Sequence, residues 1–198
     1  MVLSISKYIV WPILQLYVKE IKGTKNIPKK GAAIIASNHS SYIDGPIIFF
    51  MTAYYANRLM RSFVIKTMFN NAFRRLIFKT WLNQIEADHS LKKGVEVLNQ
   101  KEILGLLPEG GRTRTGRMQP VRHKGLGIIA QMTGAPIIPV KIKGSYDFWP
   151  SWQYWPSIYM FKKISITIGK PIRTRKQKPN AKTARKIIEK TVSAILRL

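Results

Sequence analysis

The sequence of 198 residues contains no cysteine. This absence excludes disulfide bonds, cysteine nucleophiles and cysteine-ligated zinc, and it is neutral about the compartment. The three histidines, His39, His89 and His123, lack the spacing of metal ligands. We therefore expect no metal and no cofactor.

Acidic residues are scarce. Nine Asp and Glu stand against 34 Lys and Arg, which gives a formal net charge of +25. A field of this sign attracts polyanions, and the candidates are nucleic acid, an anionic membrane surface and phosphorylated substrates. Composition alone does not choose among them. The hydrophobic content of 45% is that of a folded globular protein.

Long apolar runs are also missing, since none reaches the roughly 20 residues that a spanning helix needs. The apolar N-terminal segment carries Lys7 and has no small-residue cleavage pattern, so we do not expect a cleaved signal peptide. Tyr8, Trp11 and Tyr17 suit a helix at a membrane interface, and a helix packed on the core is an equal alternative. We predict a membrane-interface helix over residues 1–22 and one catalytic domain over residues 23–198.

Three common motifs are absent. The sequence has neither G-x-x-x-x-G-K-[ST] nor G-x-G-x-x-G between a strand and a helix, which disfavours nucleotide hydrolysis and dinucleotide redox chemistry. It also lacks G-x-S-x-G, which places covalent catalysis by serine below direct transfer.

Apolar runs alternate with amphipathic segments along the chain. We predict strands at residues 32–36, 63–66, 103–107, 137–142 and 164–168, a weak strand at Ile85, and helices at 45–55, 89–100, 122–133 and 181–198. Residues 164–168 alternate as a half-exposed edge strand does. The pattern predicts a single α/β domain, with a mostly parallel or mixed sheet covered by helices and a short N-terminal amphipathic helix.

Polar residues cluster after two of these strands, where active sites of such sheets collect. His39 follows the first strand and Asp44 lies five positions later. A carboxylate that holds one ring nitrogen leaves the other free to act as a general base on an alcohol. The alternative is an Asx-type turn beside a solvated histidine.

The second cluster runs from Glu109 to Arg114, after the strand at 103–107. Its glycines let the backbone approach a ligand, and Arg112 and Arg114 offer planar forks for a phosphate. Glu109 could orient an arginine or accept a hydroxyl from a substrate. The alternative is a glycine-rich surface turn with solvated arginines.

Three sequence blocks carry a resemblance to a known family. Residues 38–44, N-H-S-S-Y-I-D, resemble the Asn-His-x-x-x-x-Asp motif of the glycerolipid acyltransferases, the family of 1-acylglycerol-3-phosphate acyltransferase. Residues 107–113, L-P-E-G-G-R-T, resemble its Phe-Pro-Glu-Gly-Thr-Arg-Ser block, with Leu107 and Gly111 as departures. Residues 135–140, A-P-I-I-P-V, resemble its late proline-containing strand. The resemblance spans roughly residues 31–144.

The resemblance implies an acyltransferase domain over residues 23–198 and a role for each matched residue. His39 would be the general base on a glycerol hydroxyl that attacks an acyl thioester, and Asp44 would orient its ring. The residues that would bind the acceptor, with Arg112 as the charge partner of its phosphate, are Asn38, Glu109, Gly110, Gly111 and Arg112. Backbone amides near the two glycines could stabilise the oxyanion.

The implied partners are acyl-CoA or acyl carrier protein as donor, a lysophospholipid as acceptor and an anionic membrane surface. No cofactor and no nucleic acid are expected. The resemblance places the protein at the cytoplasmic face of the cell membrane, as a peripheral or monotopic protein.

Residues 145–161 include eight aromatic side chains, among them Trp149, Trp152 and Trp155. Such rings favour the headgroup layer of a membrane or could line an entrance for an acyl chain. The alternative is a loop that buries them over the core.

Three other functions stay open on the sequence. They are transfer to another lipid acceptor by the same family, a basic nucleic-acid-binding module, and a non-catalytic lipid-binding protein on the same fold.

Overall fold

The computed structural model describes residues 1–64, 84–86, 90–121, 123–159, 161 and 163–198. Several sequence-based predictions fall outside these residues: the end of the strand at 63–66, the first residue of the helices at 89 and 122, and His89. The remaining predictions can be compared with the structure.

The described helices and strands alternate along most of the chain. The helices are α1 (Val2–Ile5), α2 (Trp11–Gln15), α3 (Asp44–Ala56), α4 (Ser90–Asn99), α5 (Gly125–Thr133), α6 (Ser145–Phe148) and α7 (Ala181–Arg197), with a π-helical turn at Ser6–Val10 and a 3-10 turn at Thr24–Asn26. The strands are β1 (Val18–Lys22), β2 (Ala33–Ser37), β3 (Met60–Val64), β4 (Ile85–Glu86), β5 (Ile103–Leu106), β6 (Ile137–Lys143) and β7 (Ile164–Ile168).

The described strands form one sheet of seven, in the order β1-β7-β6-β2-β5-β3-β4. Strands β6, β2, β5, β3 and β4 are parallel to one another, while β7 runs antiparallel to β6 and β1 runs parallel to β7. The predicted α/β fold with a mostly parallel or mixed sheet is confirmed.

Strand β2 lies at the centre and is buried along its whole length. Ile35 packs into one core cluster with Trp11 and Phe49, whereas its neighbour Ile34 packs into a second cluster with Ile129. Successive side chains of a strand point to opposite faces, so helices must cover both faces of this sheet. This is why the sequence of β2 is apolar without alternation.

Strand β1 forms one edge of the described sheet, and two sequence-based predictions at this end of the sheet were wrong. Residues 164–168, predicted as an edge strand, form β7 between β1 and β6. The helix predicted over residues 1–22 ends at Gln15, because residues 18–22 pair in parallel with β7. Residues 18–22 therefore belong to the sheet, while the division into two units stays a prediction.

The N-terminal helical segment has two different faces. Trp11 is fully buried, with its ring 6.1 Å from Tyr54 and 6.0 Å from Tyr55. On the other side, Tyr8, Ile9, Ile13 and Leu16 are each more than half exposed. The segment thus packs on the core with one face and leaves an apolar face in solvent. No helix in the described ranges combines the length and the apolar content needed to cross a bilayer.

Candidate active site

The two polar clusters predicted from the sequence meet at one edge of the sheet. Ala36 of β2 pairs with Leu106 of β5, and both strands end within one residue of that pair. The turn after β2, residues 38–43, therefore lies beside the loop after β5, residues 107–116. The expectation that the site lies at the carboxyl ends of parallel strands places both clusters here.

His39 and Asp44 are in contact. Nδ1 of His39 lies 3.2 Å from Oδ2 of Asp44, which is fully buried at the first position of α3. Within the described part of the chain, Nε2 of His39 has no hydrogen-bond partner, and the side chain is 13% exposed. The geometry is that of an imidazole whose tautomer is fixed by a carboxylate and whose second nitrogen is free for a substrate.

The same carboxylate oxygen shapes the turn. The backbone amides of Ser40 and Ser41 both donate to Oδ2 of Asp44, each at 2.7 Å. The Asx-type turn that the sequence left as an alternative is therefore present, and the histidine is held by it. Capping and catalysis are compatible here, because a carboxylate oxygen can accept several hydrogen bonds.

Glu109 accepts a hydrogen bond from the backbone of His39. Its Oε1 accepts a 2.6 Å hydrogen bond from the amide of His39, and its Oε2 accepts one of 2.6 Å from the amide of Gln119. Thr113 of the same loop donates its amide to the carbonyl of His39 at 3.0 Å. Burial raises the pKa of the Glu109 carboxyl, and the two amide hydrogen bonds oppose that rise. The carboxylate thus positions the turn that carries His39, while its predicted contact with the acceptor stays a prediction.

The side chain of Asn38 also forms hydrogen bonds within the protein. Its Nδ2 donates to the carbonyl of Ile142 at 2.9 Å, and the amide of Ile142 donates to its Oδ1 at 2.8 Å. This pair extends the contact between β2 and β6 by one side chain and fixes where the turn begins. The structure gives Asn38 a structural role, and its predicted contact with the acceptor stays untested.

The glycines after Glu109 form a tight turn. Gly110 has a φ of +73°, and its amide donates to the carbonyl of Leu107 at 3.0 Å. A Cβ at this position would lie 3.3 Å from Cδ2 of His123, so a side chain would be strained and crowded. An oxyanion role for this amide would require its hydrogen bond to Leu107 to open. Gly111 is exposed.

Arg112 stacks on an aromatic ring that the sequence analysis did not single out. Its Cζ lies 3.9 Å from the centroid of the Tyr42 ring. Tyr42 in turn packs against Trp149, with the ring centroids 5.3 Å apart. The signal available in the sequence was an aromatic residue inside the His39–Asp44 spacing, but its partner lies 70 positions away along the chain.

The aromatic segment that begins at residue 145 contacts the turn that carries His39 through Trp149, and its later rings are exposed. The carbonyl of Trp149 accepts a 2.6 Å hydrogen bond from Oγ of Ser41. Further along, Trp152, Tyr154, Trp155 and Tyr159 are each more than 70% exposed. Burial of these four rings over the core, the alternative left by the sequence, is therefore wrong, although it holds for Phe148.

Two further residues lie near the site, and nothing in the sequence beyond their residue type pointed to them. His123 lies beside Gly110, and Lys141 lies on β6 within electrostatic range of Glu109. Burial is the main cause that lowers the pKa of Lys141, followed by the neighbouring Lys143, while Glu109 opposes the change. Among the described residues, no group of three or more His, Cys, Asp or Glu could hold a metal ion.

Known proteins share this sequence pattern and fold. The family model described as Acyltransferase matches residues 19–143. A 1-acyl-sn-glycerol-3-phosphate acyltransferase from Borreliella burgdorferi is 30% identical over 132 residues, 65% of this chain and 52% of the relative. One from Bacillus subtilis is 26% identical over 162 residues, 77% of this chain and 73% of the relative.

A solved structure of a known acyltransferase shares the fold of this chain. The crystal structure of the 1-acyl-sn-glycerophosphate (LPA) acyltransferase PlsC from Thermotoga maritima superposes with a TM-score of 0.70 at 25% identity, over 92% of this chain and 73% of that one. The chain spans about half the length of several curated relatives it matches. Because the family model covers more than half of the chain, including both polar clusters, the protein belongs to the Acyltransferase family.

Proposed function

We propose that the protein transfers a fatty acyl group from an acyl thioester, acyl-CoA or acyl-ACP, to a hydroxyl of a glycerol phosphate lipid. The proposed acceptor is 1-acylglycerol-3-phosphate, the product is phosphatidic acid, and the role is in phospholipid biosynthesis. The observation that carries the proposal is the contact between His39 and buried Asp44, on a turn whose Tyr42 also holds Arg112. The choice of acceptor is supported by the relatives, which are 1-acyl-sn-glycerol-3-phosphate acyltransferases.

The chemistry follows from the free nitrogen of His39. Nε2 takes the proton of the acceptor hydroxyl while its oxygen attacks the thioester carbonyl. The tetrahedral intermediate then expels the thiolate. The thiolate takes the proton from the imidazolium and leaves as a thiol. Asp44 stabilises the imidazolium through Nδ1, and proton transfer of this kind contributes about 10²–10⁴-fold in rate.

Arg112 is the proposed charge partner of the acceptor's phosphate. Its Nε is buried, and no residue in the described ranges accepts a hydrogen bond from it. A buried donor without a partner is costly unless a ligand supplies one. The exposed Gly111 beside it leaves room for the acceptor to approach the backbone.

The proposed site of action is an anionic membrane, reached from the cytoplasmic face by a peripheral or monotopic protein. Two segments expose large apolar side chains, the N-terminal helical segment and residues 152–159 together with Phe161. The two segments adjoin, because the ring of Phe161 stacks on that of Tyr17 with centroids 5.1 Å apart. Each Lys or Arg near an anionic leaflet contributes about 1 kcal/mol of attraction, so a chain with a net charge of +25 is suited to such a surface.

An assay of thiol release tests the proposed function. Purified protein is mixed with acyl-CoA or acyl-ACP and with anionic vesicles that contain lysophosphatidic acid, lysophosphatidylcholine or monoacylglycerol. We expect release that depends on lysophosphatidic acid and yields phosphatidic acid by mass spectrometry. Faster transfer to another acceptor would overturn the proposed acceptor, and no transfer to any acceptor from either donor would overturn the enzyme itself.

A further inference from the structure

We propose that Tyr42 is a positioning residue that holds the guanidinium of Arg112 ready for an anionic phosphate group of the acceptor. The inference rests on the proposed function and adds a residue to it. It also states how the anion site and the catalytic base are kept in register.

The ring of Tyr42 is the principal contact that holds the Arg112 guanidinium. Cζ of Arg112 lies 3.9 Å from the ring centroid, well within the range of a cation–π contact. In the described part of the chain, Arg112 forms no ion pair. The oxygens of Glu109 are directed to the amides of His39 and Gln119, and in the described structure this carboxylate forms no ion pair with Arg112.

This arrangement leaves the hydrogen-bonding edge of the guanidinium available. A ring uses the flat face of the group, whereas a phosphate binds its N–H donors in the plane. The buried Nε that has no partner in the described structure is one of those donors. A carboxylate partner would have occupied the same donors and cancelled the charge, so an aromatic support is the one that preserves an anion site.

Three contacts hold Tyr42 in place. Its amide donates to the carbonyl of Trp149 at 3.2 Å, and its hydroxyl donates to the carbonyl of Ser151 at 3.3 Å. Its ring packs against the indole of Trp149 at an interplanar angle of 46°. Because Tyr42 lies on the turn between His39 and Asp44, this support sets the distance between the anion site and the base.

The test compares two substitutions in the thiol-release assay with acyl-CoA and lysophosphatidic acid. Tyr42→Phe keeps the ring and loses one hydrogen bond, so we expect its KM for lysophosphatidic acid to stay within about twofold of the wild type. Tyr42→Leu removes the aromatic face, and we expect this KM to rise roughly 2- to 30-fold, beyond that of the Phe variant. The KM for acyl-CoA should not change, and any fall in kcat should be smaller than the rise in the KM for lysophosphatidic acid, because the contact between His39 and Asp44 stays in place.

The same substitution in an Arg112→Ala protein shows whether Tyr42 acts through Arg112. In an Arg112→Ala protein, Tyr42→Leu should raise the KM for lysophosphatidic acid no further. Should Tyr42→Leu fail to fold by circular dichroism, Tyr42→Met replaces it, since Met is flexible, apolar and has no aromatic face.

Three outcomes overturn the inference. The first is a KM unchanged by loss of the ring, the second is a loss of kcat alone, and the third is an equal effect of Tyr42→Leu with and without Arg112. If the wild type transfers acyl groups while any of these is found, the inference fails and the proposed function stands. If the wild type transfers nothing, both fail.

Discussion

Replacing Glu109 by Gln separates two roles for this side chain. As an acceptor-binding residue, the role implied by the family resemblance, Glu109 would govern the KM for the lysophospholipid. As the structure has it, Oε1 and Oε2 each accept a 2.6 Å hydrogen bond, one from the amide of His39 and one from that of Gln119. A residue that positions the base should govern kcat.

The size of the effect follows from those two hydrogen bonds. Glutamine offers one acceptor oxygen, so one of the two amides would face an NH₂ group. Losing a charge-assisted hydrogen bond of this kind costs about 1.5–3 kcal/mol. Since about 1.4 kcal/mol corresponds to a tenfold change in rate, a cost that falls on the position of His39 would lower kcat roughly 10- to 150-fold.

The measurement is steady-state thiol release with varied lysophosphatidic acid. We expect Glu109→Gln to lower kcat within this range and to leave KM within about twofold. The matched control is Glu189→Gln, which removes an exposed carboxylate paired with Arg185 on α7 and should leave both constants unchanged. A tenfold or larger rise in KM at unchanged kcat would refute the positioning role and restore the acceptor-binding one.

Glu109 also predicts a pH dependence of stability. Burial raises the pKa of its carboxyl in the folded protein above the ordinary value of 4.5. Between the unfolded and the folded pKa the native state binds more protons, so this carboxyl makes the protein less stable as pH rises through that window. The Tm of the wild type relative to that of Glu109→Gln should therefore fall as pH increases from 4.5, and a rise would contradict the burial of the charge.

Three further predictions concern the same edge of the sheet and the exposed aromatic segment. Asp44→Asn keeps an acceptor oxygen but removes the charge that stabilises the imidazolium, so kcat should fall about 10²–10⁴-fold, and a loss below fivefold would contradict this role. Asn38→Ala leaves the buried amide and carbonyl of Ile142 without their partner and should lower the free energy of unfolding by about 2–4 kcal/mol in urea titrations, a result that an unchanged midpoint would exclude. Trp152→Ala with Trp155→Ala should weaken binding to anionic vesicles roughly tenfold or more in sedimentation assays, and undiminished binding would place the membrane contact elsewhere.

Much of the fold could be predicted from apolar periodicity. Strands β2 and β5 are buried on both faces and appear in the sequence as apolar runs without alternation, and β6 begins in the same way before Lys141. The rule that active sites collect at the carboxyl ends of parallel strands then places both polar clusters at one edge of the sheet. Their direct proximity depends on the pairing of β2 with β5, which the sequence did not predict.

The edge of the sheet could not be predicted in this way. In β1, Lys19, Glu20 and Lys22 are charged, and the strand directly follows an apolar helical segment. Its strand conformation depends on parallel pairing with β7, more than 140 positions further along the chain. Local propensity carries no information about such a partner. Because β1 was not predicted as a strand, the strand that became β7 was expected to lie at the edge of the sheet.

At the site, sequence spacing predicted which residues lie together but not what each one contacts. The contact between His39 and Asp44 is local, five positions apart, and the structure has it. The partner of Asn38 is 104 positions away and that of Tyr42 is 70 positions away, and both are set by tertiary packing. A side chain that a motif marks as ligand-binding can therefore form its hydrogen bonds with the protein backbone instead, as Asn38 does with Ile142.

His39 is the proposed base, and one substitution removes the ring nitrogen that would take up the proton. His39→Gln keeps a polar side chain of similar size without a group that takes up a proton at neutral pH. In the thiol-release assay with acyl-CoA and lysophosphatidic acid in anionic vesicles, we expect this variant to bind vesicles as the wild type does and to lose transfer by at least about 10²-fold. Transfer by His39→Gln at a rate within a few fold of the wild type would show that His39 is not the base.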